Sequence, residues 1–265
     1  MSKIIFEPTN NKVGCFVYND LKVLKKNQVD EIKNLLNKYG VLFFKNQNLS
    51  PSEYINFSSN FGIPAKYPML KPHKDFKDIY IIERKKTDTG KSFGEGPHTD
   101  SSYLENPPRF TFLQAIEVPE EGKGNTLFYN QFLAYEALPK NIKDKIENLE
   151  GVFSSQGKIA QTRELRMADH GTTDIKEIKS NHKLVQSIDG RKTIYCSPGH
   201  VVRIVDLNSG ANELISYLSS HQIKKDFSFS FGWKKGDIAL WSNRSMLHAA
   251  TTFNGDRKMF RITIQ

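Results

Sequence analysis

The order of elements in the sequence predicts an α+β protein built on a jelly-roll barrel. Helical patterns lie mostly in the first half and short strands crowd the second, with no repeating strand–helix–strand unit that would build a parallel sheet. A strand from Phe110 to Val118, alternating cleanly after the Pro107-Pro108 break, stands near the middle of this pattern. A length of 265 residues suits one large domain with a sizeable core, so a single domain over 1–265 is expected, with a lid or insert at about 154–181.

Taken in order, residues 13–18 (VGCFVY) read as a first strand. From Asn27 to Tyr39, Val29, Ile32, Leu35 and Leu36 share one helical face, and Gly40 supplies a left-handed cap. Val41 to Phe44 is a short buried strand. Ser50-Pro51-Ser52-Glu53 combines an N-cap, a proline at the first helical position and a capping Glu. The helix that follows turns Tyr54, Phe57 and Phe61 inward and stops at Gly62. Ile79 to Glu83 is a strand between loops. After the central strand come a turn at Pro119 to Gly124, an extended run from Asn125 to Asn130, and helices over Phe132 to Leu138 and from Pro139 to Leu149. Between Ser154 and Asn181 no periodicity survives, as in a lid or an ordered excursion. Strands resume at Lys183 to Ile188 and Lys192 to Cys196 around an Asp189-Gly190 turn, then at Val201 to Val205. A helix over Ala211 to His221 precedes the strict alternation Phe227, Phe229, Phe231, Trp233, and strands at Ile238 to Trp241 and Phe260 to Ile264 close the chain.

Composition excludes several classes of protein. Two cysteines, Cys15 and Cys196, are too few for a disulfide framework and suit a reducing compartment. No apolar run is long enough for a signal peptide or a membrane span, so a soluble, cytoplasmic protein with no membrane partner is expected. The formal charge of +9 invites a nucleic-acid reading, but the lysines are scattered and form no basic stripe interleaved with aromatics. A basic surface suits small anionic substrates instead.

The chemistry centres on His98-Thr99-Asp100. In an extended segment residues two apart project to the same side, so one imidazole and one carboxylate converge. A second imidazole, for which His248 is the best candidate, would complete a 2-His-1-carboxylate face with open metal positions, the donor set of non-haem Fe(II) oxygenases. His73-Lys74-Asp75 is a second match to the short pattern, but it lies among Lys71, Lys74 and Lys77 after Pro72 and reads as a solvated loop.

Several stretches together carry a resemblance: GVLFFKNQNLSPSEYINFSSNFG from Gly40, the HTD at His98, GNTLFYN at Gly124, ALP at Ala137, and LWSNRSMLHAATTFNGDRKMFRITI near the C-terminus. Their order and spacing resemble the TauD/TfdA family of Fe(II)- and 2-oxoglutarate-dependent dioxygenases. The resemblance implies a double-stranded β-helix (jelly-roll) core with flanking helices, and iron held by His98, Asp100 and His248. It implies 2-oxoglutarate as cosubstrate, met by Thr126 and by an arginine from the Arg-x-x-x-Arg pair Arg257 and Arg261. Both arginines stay open for that role. Arg257 is preferred, which leaves Arg261 for an acidic substrate group.

The implied reaction uses O2 and couples decarboxylation of 2-oxoglutarate, yielding succinate and CO2, to oxidation, most simply hydroxylation, of an unactivated C–H bond. His200 stands where the family often has an aromatic pocket residue. The pocket His and Asn of taurine dioxygenases are replaced at about Ile63 and Gly94, so a small anionic substrate other than taurine is expected. Two other readings use the same scaffold: a nucleic-acid or protein demethylase, and a jelly-roll binding protein without turnover. A homo-oligomer stays open.

Overall fold

Alternation along the strands separates two cores. The computed structural model describes residues 3–67, 70, 72–162 and 176–265. The first half holds β1 (Phe6–Pro8), β2 (Cys15–Val17), α1 (Lys26–Tyr39), β3 (Val41–Phe44), α2 (Pro51–Ser59), β4 (Tyr80–Arg84), β5 (Phe110–Glu117) and β6 (Thr126–Asn130). Next come α3 (Gln131–Glu136), α4 (Lys140–Ile146), β7 (Glu150–Ser154), β8 (Lys179–Lys183), β9 (Val185–Ile188), β10 (Arg191–Ile194) and β11 (Val201–Ile204). The chain ends with α5 (Ala211–Gln222), β12 (Ser228–Phe231), β13 (Ile238–Ser242), β14 (Met246–Ala250) and β15 (Arg257–Ile264).

A seven-stranded sheet runs in the order β1-β2-β3-β13-β5-β15-β4, and a three-stranded sheet in the order β12-β6-β14. All neighbours in the larger sheet are antiparallel except β2 and β3. The two sheets face one another as a jelly roll. Phe43 on β3 stacks on Phe231 of β12 with ring centres 4.4 Å apart and meets Phe128 of β6 at 5.5 Å. Val41, Leu113, Ala239, Trp241 and Met259 fill the same interior. Burial of each such large side chain contributes roughly 1.5–3 kcal/mol.

The alternate residues Leu42, Phe44, Phe112, Leu240 and Ile262 turn to the outer face, where Ile32, Leu36, Tyr54 and Phe57 of α1 and α2 cover them. Gly40 ends α1 at φ +78°, and its N–H donates to Leu36 O at 2.7 Å. Ser50 and Glu53 form the expected capping box at the start of α2. A third sheet, β11-β7-β8, and the β9–β10 hairpin enclose a separate apolar cluster with α3 and α5.

The structure departs from the sequence expectation at several short strands. β1, β7, β8 and β14 were not foreseen, and β15 begins at Arg257 instead of Phe260. Arg257, Arg261 and His248 occupy inward positions where alternation would show apolar residues, so the strand signal is broken where the chemistry lies. Part of the segment at about 154–181 is ordered: a 3-10 turn spans Lys158–Thr162 and β8 begins at Lys179. The remainder of the expected lid, residues 163–175, lies outside the described residues. Among the described residues no helix is long and apolar enough to cross a membrane.

Candidate active site

The site assembles at the open edge of the smaller sheet. His248 sits in the middle of β14, opposite Phe128 of β6. The segment carrying His98 forms an antiparallel bridge with it: His98 N donates to His248 O at 3.0 Å, and His248 N donates to His98 O at 2.9 Å. Thr99 points away and donates its hydroxyl to Met246 O at 3.2 Å, as the alternation requires. Asp100 follows on the same side as His98.

The ligand atoms of His98, Asp100 and His248 all lie within 4.8 Å of one another, and all three residues are buried. Asp100 Oδ1 is 3.8 Å from His98 Nε2 and 3.7 Å from His248 Nε2. Their surroundings fix these atoms. His98 Nδ1 lies 2.9 Å from Gly96 O. A carbonyl only accepts, so Nδ1 carries the proton and Nε2 presents its lone pair. Asp100 Oδ2 accepts from Thr111 Oγ1 at 2.7 Å, which leaves Oδ1 turned toward the imidazoles. The His248 ring is held by packing against Trp241 at 4.6 Å, and its Nδ1 has no partner among the described residues.

The charges follow from burial and neighbours. Burial would raise the Asp100 carboxyl, but the Arg261 guanidinium, His248, His98 and the Thr111 hydroxyl hold it well below the usual carboxylate range. Burial, aided by the neighbouring His98, pushes His248 down to about 3, so it is a neutral imidazole near pH 7. Two imidazoles and one carboxylate converging from one side, with Nδ1 of His98 anchored to a backbone carbonyl, fit a divalent metal such as Fe(II).

The cavity beside them is lined by Leu113, Thr126, Trp241, Arg257 and Arg261 among others. Arg257 and Arg261 leave β15 on the same inward face as Met259. The Arg257 guanidinium lies 5.9 Å from the ring centres of both Trp233 and Phe253, and its Nε and Nη2 have no hydrogen-bond partner among the described residues. Burial lowers its pKa to about 10. Thr126 Oγ1 accepts from Trp233 Nε1 at 3.0 Å, so its own hydroxyl proton is available to an acceptor in the cavity. Arg261 Nη2 lies 3.0 Å from Asp100 Oδ1 as an ion pair without hydrogen-bond alignment, and the guanidinium sits 4.5 Å over the Tyr67 ring.

A second, smaller chamber shares His98 and Asp100 with that cavity. His200 lines it, 2% exposed, which rules out a histidine in open water. Every predicted site residue therefore borders one of the two chambers. Ile63, expected at a pocket position, does not: it is 77% exposed. The wall near that expected position is Tyr67, which sequence reasoning missed along with Phe93, Ser101 and Thr111. Thr111 had a readable signal, since alternation along β5 turns residues 111, 113 and 115 inward. The loop residues had none.

The sequence profile described as taurine catabolism dioxygenase TauD, TfdA family, matches residues 6–263. The chain belongs to the TauD/TfdA family. As a TauD/TfdA protein it is an enzyme, a dioxygenase that depends on Fe(II) and 2-oxoglutarate. It is 25% identical to pentalenolactone F synthase of Streptomyces avermitilis, over 88% of this chain and 84% of that one. It is 26% identical to the alpha-ketoglutarate-dependent 2,4-dichlorophenoxyacetate dioxygenase of Cupriavidus pinatubonensis, over 88% of this chain and 86% of that one. The crystal structure of a taurine dioxygenase from Burkholderia xenovorans matches with a TM-score of 0.81 at 26% identity, covering 98% of this chain and 90% of that one. The TauD/TfdA jelly roll thus spans nearly the whole chain.

Proposed function

We propose that the enzyme oxidises, most simply by hydroxylation, an unactivated C–H bond of a small anionic organic substrate other than taurine. The observation that carries this reading is the charge of the metal-side cavity. Two buried guanidiniums, Arg257 and Arg261, leave one strand, and Asp100 is the one acid among the described residues lining that cavity. Uncompensated buried charge is unfavourable, so such a cavity is built for anions.

In this reading His98, Asp100 and His248 hold Fe(II). Bound there, the metal with 2-oxoglutarate supplies oxidising power from O2 and leaves succinate and CO2 as co-products. Arg257 and Thr126 hold the distal carboxylate of 2-oxoglutarate: Arg257 offers two unpartnered buried nitrogens, and the Thr126 hydroxyl is oriented by Trp233. A charge-assisted contact of this kind contributes about 1.5–3 kcal/mol. Arg261, held between Asp100 and Tyr67, meets the acidic group of the primary substrate, and His200 forms part of the substrate wall. Phe93 and Ile159 give that chamber an apolar wall. The relative named for 2,4-dichlorophenoxyacetate acts on a carboxylate-bearing compound, which agrees with this assignment.

The test is an anaerobic complex with Fe(II) and 2-oxoglutarate, screened against small carboxylates and sulfonates for succinate formed on admitting O2. Strong stimulation by at least one acid, and weaker stimulation by taurine, is the expected result. Equal stimulation by taurine, or none by any acid, overturns the reading.

A further inference from the structure

Ser101, immediately after the candidate ligand Asp100, is an unusual residue in three respects. Its backbone adopts φ +48°, a left-handed conformation that a serine rarely takes. It is 3% exposed, and its Oγ has no hydrogen-bond partner among the described residues. It also lines the second chamber. Strained backbone concentrates where function holds it in place, and buried hydroxyls are normally paired.

The other polar side chains of the chamber are engaged. Thr162 Oγ1 donates to Ile159 O at 2.9 Å and accepts from Gly94 N at 3.3 Å. His200 Nδ1 is taken by Ser102 Oγ at 2.9 Å and approached by Ser197 Oγ at 3.4 Å. Tyr67 presents its ring to Arg261, and Phe93 and Ile159 are apolar. Among the described residues lining the chamber, Ser101 Oγ is the buried side-chain atom without a hydrogen-bond partner, and it lies beside His98 and Asp100.

We propose that Ser101 is a specificity residue whose Oγ pairs with a hydroxyl on the substrate, so that the enzyme takes short hydroxy-substituted organic acids in preference to plain alkyl acids. This rests on the anion-binding reading above. The turn at Ser101 is closed by Leu104 N donating to Ser101 O at 3.0 Å.

The experiment uses matched probes added anaerobically to the enzyme with Fe(II) and 2-oxoglutarate, with binding read by calorimetry. The pairs are 3-hydroxypropanoate against propanoate and 2-hydroxyethanesulfonate against ethanesulfonate, and the neutral pair is propane-1,3-diol against propan-1-ol. Wild type should bind the hydroxylated acid about fivefold tighter, the effect of one neutral hydrogen bond. Ser101→Gly, which suits the left-handed backbone, and Ser101→Ala should each bring that ratio to one. Equal binding of both acids by wild type, as when solvent alone satisfies the hydroxyl, overturns the proposal and leaves the anion reading standing. Discrimination that persists in both variants does the same. Acids that bind no tighter than the alcohols, or not at all, overturn the anion reading and this one with it.

Discussion

His98 and His248, 150 positions apart in the chain, exchange both backbone hydrogen bonds, at 3.0 and 2.9 Å, and their rings lie 4.3 Å centre to centre. The two imidazoles of the triad are thus set by a β-bridge, whose paired residues project to the same face. The position of the site is a property of the barrel's backbone closure, and the side chains need only adopt the rotamers that packing allows. Substituting Ala for His98, Asp100 or His248 should leave the bridge and the fold in place while lowering Fe(II)-dependent succinate formation by more than about 100-fold. Turnover retained in any of the three, measured with saturating iron, would remove that residue from the ligand set.

The two arginines of β15 should separate kinetically. Arg257→Ala removes the unpartnered guanidinium beside Thr126 and should raise KM for 2-oxoglutarate by about 10- to 100-fold, the range expected for a charge-assisted contact. Arg261→Ala should instead raise KM for the primary acid and leave 2-oxoglutarate affinity within about threefold. Steady-state kinetics on both substrates decides the matter, and the reverse pattern would exchange the two assignments.

Much of this was legible in the sequence because it obeys a period. The helix from Asn27 to Gly40, the capping box at Ser50 and the alternation of Phe110 to Val118 follow from propensity and pattern, and the structure has them within a few residues. His98 and Asp100 were readable because two residues at a spacing of two share a strand face. His248 was readable as a residue but not as the centre of β14, since an imidazole inside the run Met246 to Ala250 interrupts the apolar signal. Tyr67 and Ser101 were not readable as chamber residues. Each reaches the cavity from a loop, and loop packing leaves no periodic trace. The assignment of a pocket position to Ile63 failed for the same reason: a shift of a few residues in a loop moves the wall from Ile63, largely in solvent, to Tyr67 over Arg261.

Gly199 offers a steric test of how rigidly His98 is held. A Cβ built there would stand 2.9 Å from His98 Cβ and 3.0 Å from Ile159 Cβ. Both neighbours are atoms fixed to the backbone, so they cannot swing aside as a long side chain would. Gly199→Ala should displace His98 and lower Fe(II) affinity by about 10-fold or more, with a modest fall in Tm from overpacking of about 1–3 kcal/mol. Metal titration by calorimetry on folded variant protein reads the first effect and thermal unfolding the second. Unchanged iron affinity would mean that the His98 bridge tolerates movement of its neighbour.

Acid sensitivity of the metal-free protein should carry the signature of His248. Burial lowers its folded pKa to about 3, whereas the unfolded imidazole titrates near its ordinary value of 6.5. Between these values the unfolded chain binds the extra proton, so the contribution to stability is complete above about pH 6.5 and is lost as pH falls toward 3. The slope from one such group is about 1.4 kcal/mol per pH unit in that window. His182 and His221, also lowered by burial, act in the same direction and the same range, and Asp100 adds a loss only below its unfolded value of 3.8. The difference between wild type and His248→Asn therefore reports His248 together with its coupling to His98 and Asp100: chelator-treated wild type should lose stability more steeply than the variant from pH 6.5 to pH 4.5. Denaturant unfolding at several pH values measures both slopes, and parallel slopes would show that His248 is solvated and readily protonated in the folded protein.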